Sequence, residues 1–255
     1  MPKRSIEPSQ PTMLPVRLRL PVDMLAQPDE VTCGPTCLHA IYRYWGSEES
    51  LGDVIGRTRR LEHGGTDAVF LACDALRRGY NATLYTFNLT LFDPSWFRPG
   101  VDIAERLRRQ AEFKSDHRLG HATAGYLDFL ALGGRVRLTD PTRTLIRGLL
   151  RRRLPVLAGL SSTFLYRSPR EYGPQDRPDD IRGEPSGHFV VLSGYDRRER
   201  KVQVVDPYDP HPHGPNRRYW ISIDRVIGAV LLGIVTYDAN LLVITPKSPT
   251  DARAA

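Results

Sequence analysis

The stretch that decides the reading is Gln27-Pro28-Asp29-Glu30-Val31-Thr32-Cys33-Gly34-Pro35-Thr36-Cys37, which runs on to Trp45. Leu38, Ile41, Tyr42 and Trp45 recur at helical spacing, and Gly46 supplies a stop. Pro35 falls in the first turn, where its missing N–H would have no partner in any case. Cys33 therefore stands at the N-terminal end of a helix that should be largely buried. Cysteine attacks carbon as thiolate, and a free thiol with a pKa of about 8.5 is mostly protonated at neutral pH. A helix start favours the anion through the dipole and the unpaired N–H groups, and those groups can also hold an oxyanion. Gly34 removes side-chain bulk beside the sulfur.

Moving outward, a nucleophile of this kind needs a base. Gly187-His188-Phe189-Val190-Val191-Leu192 places His188 at the start of an apolar strand, where the backbone restrains its imidazole. A base needs a group to orient it and to stabilise imidazolium. Val204-Val205-Asp206-Pro207 closes the next strand on Asp206. If 188–195 and 201–206 pair as a hairpin, Asp206 returns to the strand end that carries His188.

Taken together, these segments resemble cysteine peptidase family thirty-nine, the bacteriocin-processing peptidases of the papain-like clan. That family pairs a glutamine with a Cys-Gly six residues later, then has a histidine opening an apolar strand and an Asp-Pro after the next. The resemblance implies Gln27 as oxyanion donor, Cys33 as nucleophile, His188 as base and Asp206 as orienting acid. It covers roughly residues 27–45 and 187–208. It also implies a papain-like α+β fold, with a helical half carrying the cysteine and an antiparallel β half carrying the histidine and aspartate. The implied substrate is a peptide or a small acyl or amide compound, attacked without a cofactor. The best-known members are fused to membrane exporters and cut after a double glycine; no exporter is present here, and the chain looks more like the stand-alone relatives. An acyltransferase using the same acyl-enzyme, and a catalytically silent peptide-binding relative, are the alternatives.

Other residues have a plainer reading. Cys37 lies four residues after Cys33 on one helical face and reads as core, with a disulfide or metal site shared with Cys33 as the rival. His117 and His121 have i, i+4 spacing but lack the intervening glutamate of a metalloprotease helix. His211-Pro212-His213, near Asp206 and Asp209, is the other metal candidate, and neither group supplies a full ligand set. Tyr166, Tyr208 and Trp220 are candidates for the cleft wall, although such aromatics are more often core.

The 255 residues, 40% hydrophobic and 25% charged, suit a soluble chain with a full core. The net charge of +7 comes almost wholly from arginine, spread along the chain with acidic residues close by. No motif joining aromatic and basic residues accompanies it, which argues against a nucleic-acid surface. Three cysteines do not make a disulfide framework. Residues 1–21 hold no apolar segment of signal length, and no run approaches a membrane span. The default location is a reducing cytoplasm.

Element by element, the pattern predicts a strand at 16–20 and helices at 33–45, 50–61, 66–78 (Thr66 as N-cap), 101–115, 122–132 and 142–153. It predicts further strands at 80–87, 155–160, 188–195, 201–205, 218–223 and 241–245. The chain is thus helix-rich first and strand-rich later. Residues 1–15 read as a loose segment, 16–246 as a single papain-like domain and 247–255 as a loose tail. Residues 166–187 form a long polar loop of the kind that is usually functional or disordered.

Overall fold

The computed structural model describes residues 16–61, 64–209 and 217–247. In chain order these form β1 (Arg17–Arg19), α1 (Cys33–Tyr44), α2 (Leu51–Arg57), α3 (Ala68–Arg77), β2 (Tyr80–Thr86), a 3-10 turn at Pro94–Phe97, α4 (Ile103–Phe113), α5 (His117–Ala131), β3 (Arg135–Arg137) and α6 (Arg143–Arg151). Then follow β4 (Val156–Ser161), α7 (Ser162–Tyr166), β5 (Glu171–Tyr172), β6 (Arg177–Pro178), β7 (Gly187–Asp196), β8 (Lys201–Val205), β9 (Arg218–Ser222), α8 (Ile223–Leu232), a 3-10 turn at Gly233–Thr236 and β10 (Asn240–Pro246).

The main sheet runs β3-β2-β10-β4-β7-β8-β9, with β1 joining β7. Every pairing is antiparallel except β2 with β3. The α+β class follows directly. The expected separation of helices from strands along the chain is only partial, because β2, from the helical half, pairs with β10 near the far end. Strands β4 and β7 are buried at nearly every position, so both faces of the sheet are covered. Helix α1 packs on β7 and α3, and α3 also on β2; α6 and α8 pack on β7 and β4. This is why 155–160 and 189–195 read as continuous apolar runs rather than alternating ones.

Most predicted elements are present, and the departures have local causes. The N-cap position of α3 is held by Asp67, without a side-chain cap bond, rather than by Thr66, whose hydroxyl donates instead to the Arg59 carbonyl at 2.7 Å. Helix α5 begins at His117, five residues earlier than expected, because Asp116 accepts from Leu119 N and starts it there. Helix α2 stops at Arg57, where the guanidinium turns to Glu49 and to Asp74. The 166–187 segment is not featureless: β5 and β6 pair within it. Helix α8, apolar and next to β9, was not anticipated.

Candidate active site

Helix α1 starts at Cys33, and most of its residues are buried. Its first N–H groups lack intrahelical partners, as at any helix start. Thr32 occupies the N-cap but makes no side-chain cap bond; its hydroxyl donates to Asp29 O at 3.2 Å. Gly34 is required for packing rather than for access to the sulfur. A Cβ there would lie 2.7 Å from Thr66 Cγ2 and 3.1 Å from Phe189. The helix start is thereby pressed against both α3's leading loop and the strand that carries His188.

Strands β7 and β8 form the expected hairpin, with Val191 opposite Val205. Asp206 follows at once and reaches back to His188, whose Nε2 lies 2.9 Å from Asp206 Oδ1. Nδ1 is then the ring nitrogen left for Cys33. Asp206 is fully buried and its carboxylate is heavily donated to. Oδ1 also accepts from Tyr208 N at 3.1 Å, and Oδ2 accepts from Tyr166 and Tyr219 hydroxyls at 2.7 and 2.9 Å. These are the donors a buried anion requires.

The electrostatics follow. Burial opposes a charge on His188, but the Asp206 carboxylate and Cys33 outweigh it, and the imidazole pKa is raised to about 10. Burial and the Asp206 charge hold the Tyr166 and Tyr219 hydroxyls well above the usual phenol range, so both stay protonated as donors. Cys37 behaves as core. It is buried, its thiol donates to Phe189 O at 3.2 Å, and burial, then Cys33 and Asp206, push its pKa well up. Both Cys33 and Cys37 are free thiols.

Gln27 lies on the segment between β1 and α1, fastened by its N–H to Pro207 O at 2.9 Å. That bond ties it to the residue after Asp206. Its Nε2 donates to Asp29 O at 2.9 Å, which leaves the second amide proton for another acceptor.

Cys33 and His188 open onto a cavity of about 490 Å³, also lined by Glu30, Asp176, Asp238 and Arg118. His117 and His121 line it too, one turn apart on α5. Among the described residues, no group of three or more His, Cys, Asp or Glu side chains is placed to hold a metal. The pair His211 and His213 lies outside the described residues.

Of the aromatics, Tyr166 and Tyr208 flank His188, each with its ring centre 6.1 Å from the imidazole. Trp220 does not belong to the site: Arg17 and Arg19 stack over its ring at 4.4 and 5.3 Å. Strand alternation explains the exchange, because Tyr219 points to the opposite side of β9 and reaches Asp206. Tyr219 was missed in the sequence, where the bulkier neighbour drew attention.

Residues 134–225 match the family model described as the Peptidase_C39 like family. The matched region contains His188 and Asp206, stops short of Cys33, and is less than half of the chain. A comparison with curated proteins found no match. Among solved structures, a C39-like peptidase from Bacillus anthracis shares 12% identity at a TM-score of 0.48, covering 91% of this chain and 98% of its own. Xylellain, a cysteine protease from Xylella fastidiosa, shares 13% at 0.47, covering 92% and 87%. A double glycine motif protease from an AMS/PCAT transporter, solved with its leader peptide, shares 13% at 0.43, covering 90% and 94%. No helix among the described residues is long and apolar enough to cross a membrane. The family match over the His–Asp hairpin bears out the resemblance drawn from the motifs: over residues 134–225 the chain is similar to the Peptidase_C39 like family.

Proposed function

We propose that the chain is a cysteine hydrolase that cleaves an amide bond of a peptide through a Cys33–His188–Asp206 triad, with residues 16–246 acting as one peptidase domain. The observation that carries this reading is the His188–Asp206 pair, 2.9 Å apart, with His188 lining a cavity that Cys33 also lines. With its pKa raised to about 10, His188 is an imidazolium at neutral pH, the form that stabilises a thiolate beside it and can protonate a leaving group.

In the first half-reaction the Cys33 sulfur adds to the carbonyl carbon. The resulting oxyanion accepts from the Cys33 N–H and from the Gln27 amide. His188 passes its proton to the departing amine, and the C–N bond breaks to leave a thioester. His188, now neutral, removes a proton from water as the water attacks. Collapse of the second adduct breaks the C–S bond, releases the carboxylic acid product and returns the sulfur as thiolate beside the imidazolium that the water's proton has restored. Asp206 remains ionised throughout and holds the ring.

The test is incubation with a library of internally quenched peptides, followed by intact-mass analysis of rapidly acidified samples. Cleavage that disappears in Cys33→Ala, with a covalent adduct on Cys33 in the parent protein, is the expected result. A folded protein that cleaves nothing, and whose Cys33 alkylates no faster than in His188→Ala, removes the enzyme reading.

A further inference from the structure

The segment between Tyr166 and His188 is spliced into the site at both ends. It leaves from Tyr166, whose hydroxyl donates to Asp206 at 2.7 Å, and returns at Gly187, the residue before His188. Within it β5 and β6 make a two-stranded sheet of their own, with Glu171 opposite Pro178 and Tyr172 opposite Arg177. A lone two-stranded hairpin is marginal in water, so this one depends on its root. There Glu171 and Glu184 exchange backbone bonds at 3.1 and 2.8 Å, and Asp179 N donates to Arg170 O at 2.8 Å. Arg170 Nη2 donates to Asp180 O at 2.6 Å, and Ser186 N donates to Thr163 Oγ1 at 2.9 Å. Gly183 is buried in the root, where a Cβ would press on Asp179 O and lie 2.7 Å from the Arg170 carbonyl carbon.

The tip differs from the root. Residues 172–178 are exposed throughout, yet Asp176 lines the cavity that Cys33 and His188 also line. The tip is a four-residue turn, Gly173-Pro174-Gln175-Asp176, closed by Asp176 N donating to Gly173 O at 3.1 Å. Pro174 stands second, where its fixed φ suits a turn. Both ends of the turn are left-handed, Gly173 at φ 77° and Asp176 at φ 48°. Glycine takes that conformation freely, whereas a residue with a Cβ is strained in it. Strain kept at a turn that reaches a reactive cavity points to a use for the side chain. A root fixed on several sides and a tip that lines the cavity make the hairpin a wall of the cleft.

We propose that the hairpin Glu171–Pro178 is a flap that selects by shape what reaches Cys33, with Asp176 as its contact on the substrate: a slim, extended acyl chain passes and a bulky or folded one is turned away. The identity of the substrate rests on the hydrolase reading above, and the flap itself does not. The substrate class is then an unstructured stretch of peptide or a chain end, rather than a loop of a folded protein.

Two measurements separate the flap from that reading. The first needs no turnover. Cys33 is modified with N-ethylmaleimide, which is slim, and with N-pyrenylmaleimide, which carries a broad rigid ring system. Each rate is divided by the rate with 2-mercaptoethanol. The parent protein should disfavour the pyrenyl reagent at least tenfold. Replacing Gly173-Pro174-Gln175-Asp176 by Asn-Gly, a two-residue turn that suits a hairpin, should bring that preference under threefold. An equal preference in both proteins overturns the proposal. Should the shortened protein fail to fold, Asp176→Gly decides the same point, because glycine relaxes the left-handed position. Its preference should fall at least twofold, and an unchanged one overturns the flap. The second measurement compares a linear peptide with the same sequence held in a disulfide-closed loop of a folded carrier protein. The parent should cut the linear form faster, and the shortened tip should narrow the gap. Equal cleavage of both forms by the parent overturns the flap while leaving the hydrolase intact. A size preference at Cys33 that the tip controls, with no peptide cleaved, removes the hydrolase and keeps the flap.

Discussion

Asp206 and Asp238 are both buried and both feel His188, yet their surroundings are opposite. Asp206 receives Tyr166, Tyr219, the Tyr208 amide and His188 itself. Asp238 receives the Thr236 hydroxyl at 2.9 Å and faces a second carboxyl group at Asp67. Burial alone therefore does not decide what a carboxyl group does. The number and sign of the groups turned towards it decide whether it serves as a fixed charge or holds a proton. The Asp206 end is finished by its donors, and the Asp238 end has fewer of them.

The largest expected effect breaks the finished end. Asp206→Asn should lower kcat/KM by roughly ten-thousandfold, the scale seen when a triad aspartate loses its charge. The same substitution should drop the His188 pKa well below about 10, because it removes the largest of the groups that offset burial and leaves only Cys33 to oppose it. An imidazole titration by NMR reads this directly, and a pKa that stays high would mean that Asp206 is not the source.

The next effect has the opposite sign. The folded Asp238 pKa of about 8 lies above the unfolded value near 3.8, so the native state keeps a proton that the unfolded chain has released. Stability should fall as pH rises from about 4 to about 8 and level off above it. Asp67, Arg118 and His188 share the site and shape that curve. Asp238→Asn should be spared the loss, and urea midpoints of the two proteins should diverge with pH by on the order of 3 kcal/mol. Parallel curves would place Asp238 with Asp206 instead.

Tyr219→Phe removes one donor from the finished end. Hydrogen bonds to charged groups are worth about 1.5–3 kcal/mol, and urea unfolding should show a loss in that range, with a roughly tenfold lower kcat. Thr236→Val is the smallest change. It takes the hydroxyl away from Asp238, so the pH-dependent limb of stability should move upward by less than one pH unit while the plateau below pH 4 stays in place.

How much of this was legible depends on the range of the interaction. Cys33 at a helix start, and the His188–Asp206 hairpin, could be read because each is local: a periodic run with a stop at Gly46, and two apolar strands joined by a short polar turn. The Tyr219 and Tyr166 donors were not legible, since each meets Asp206 only after three separate strands and a one-turn-and-a-half helix have assembled. Strand alternation on β9 offered a signal, because it puts Tyr219 and Trp220 on opposite faces, but it does not say which face is inward. Asp67 stands at the N-cap of α3. Its position relative to Asp238, 171 residues away in sequence, is a product of the fold alone.

One consequence follows from the place of β10. This strand, Asn240–Pro246, lies between β2 and β4 in the middle of the sheet, yet it is the last of the sheet's strands to leave the ribosome. Until it emerges, β2 and β4 have no common neighbour, and the half bearing Cys33 is joined to the half bearing His188 without its central seam. Pairings so distant in sequence form late and close slowly. A nascent chain therefore carries Cys33, His188 and Asp206 for a few seconds before β10 joins the two halves, and on the proposed reading synthesis itself delays the activity.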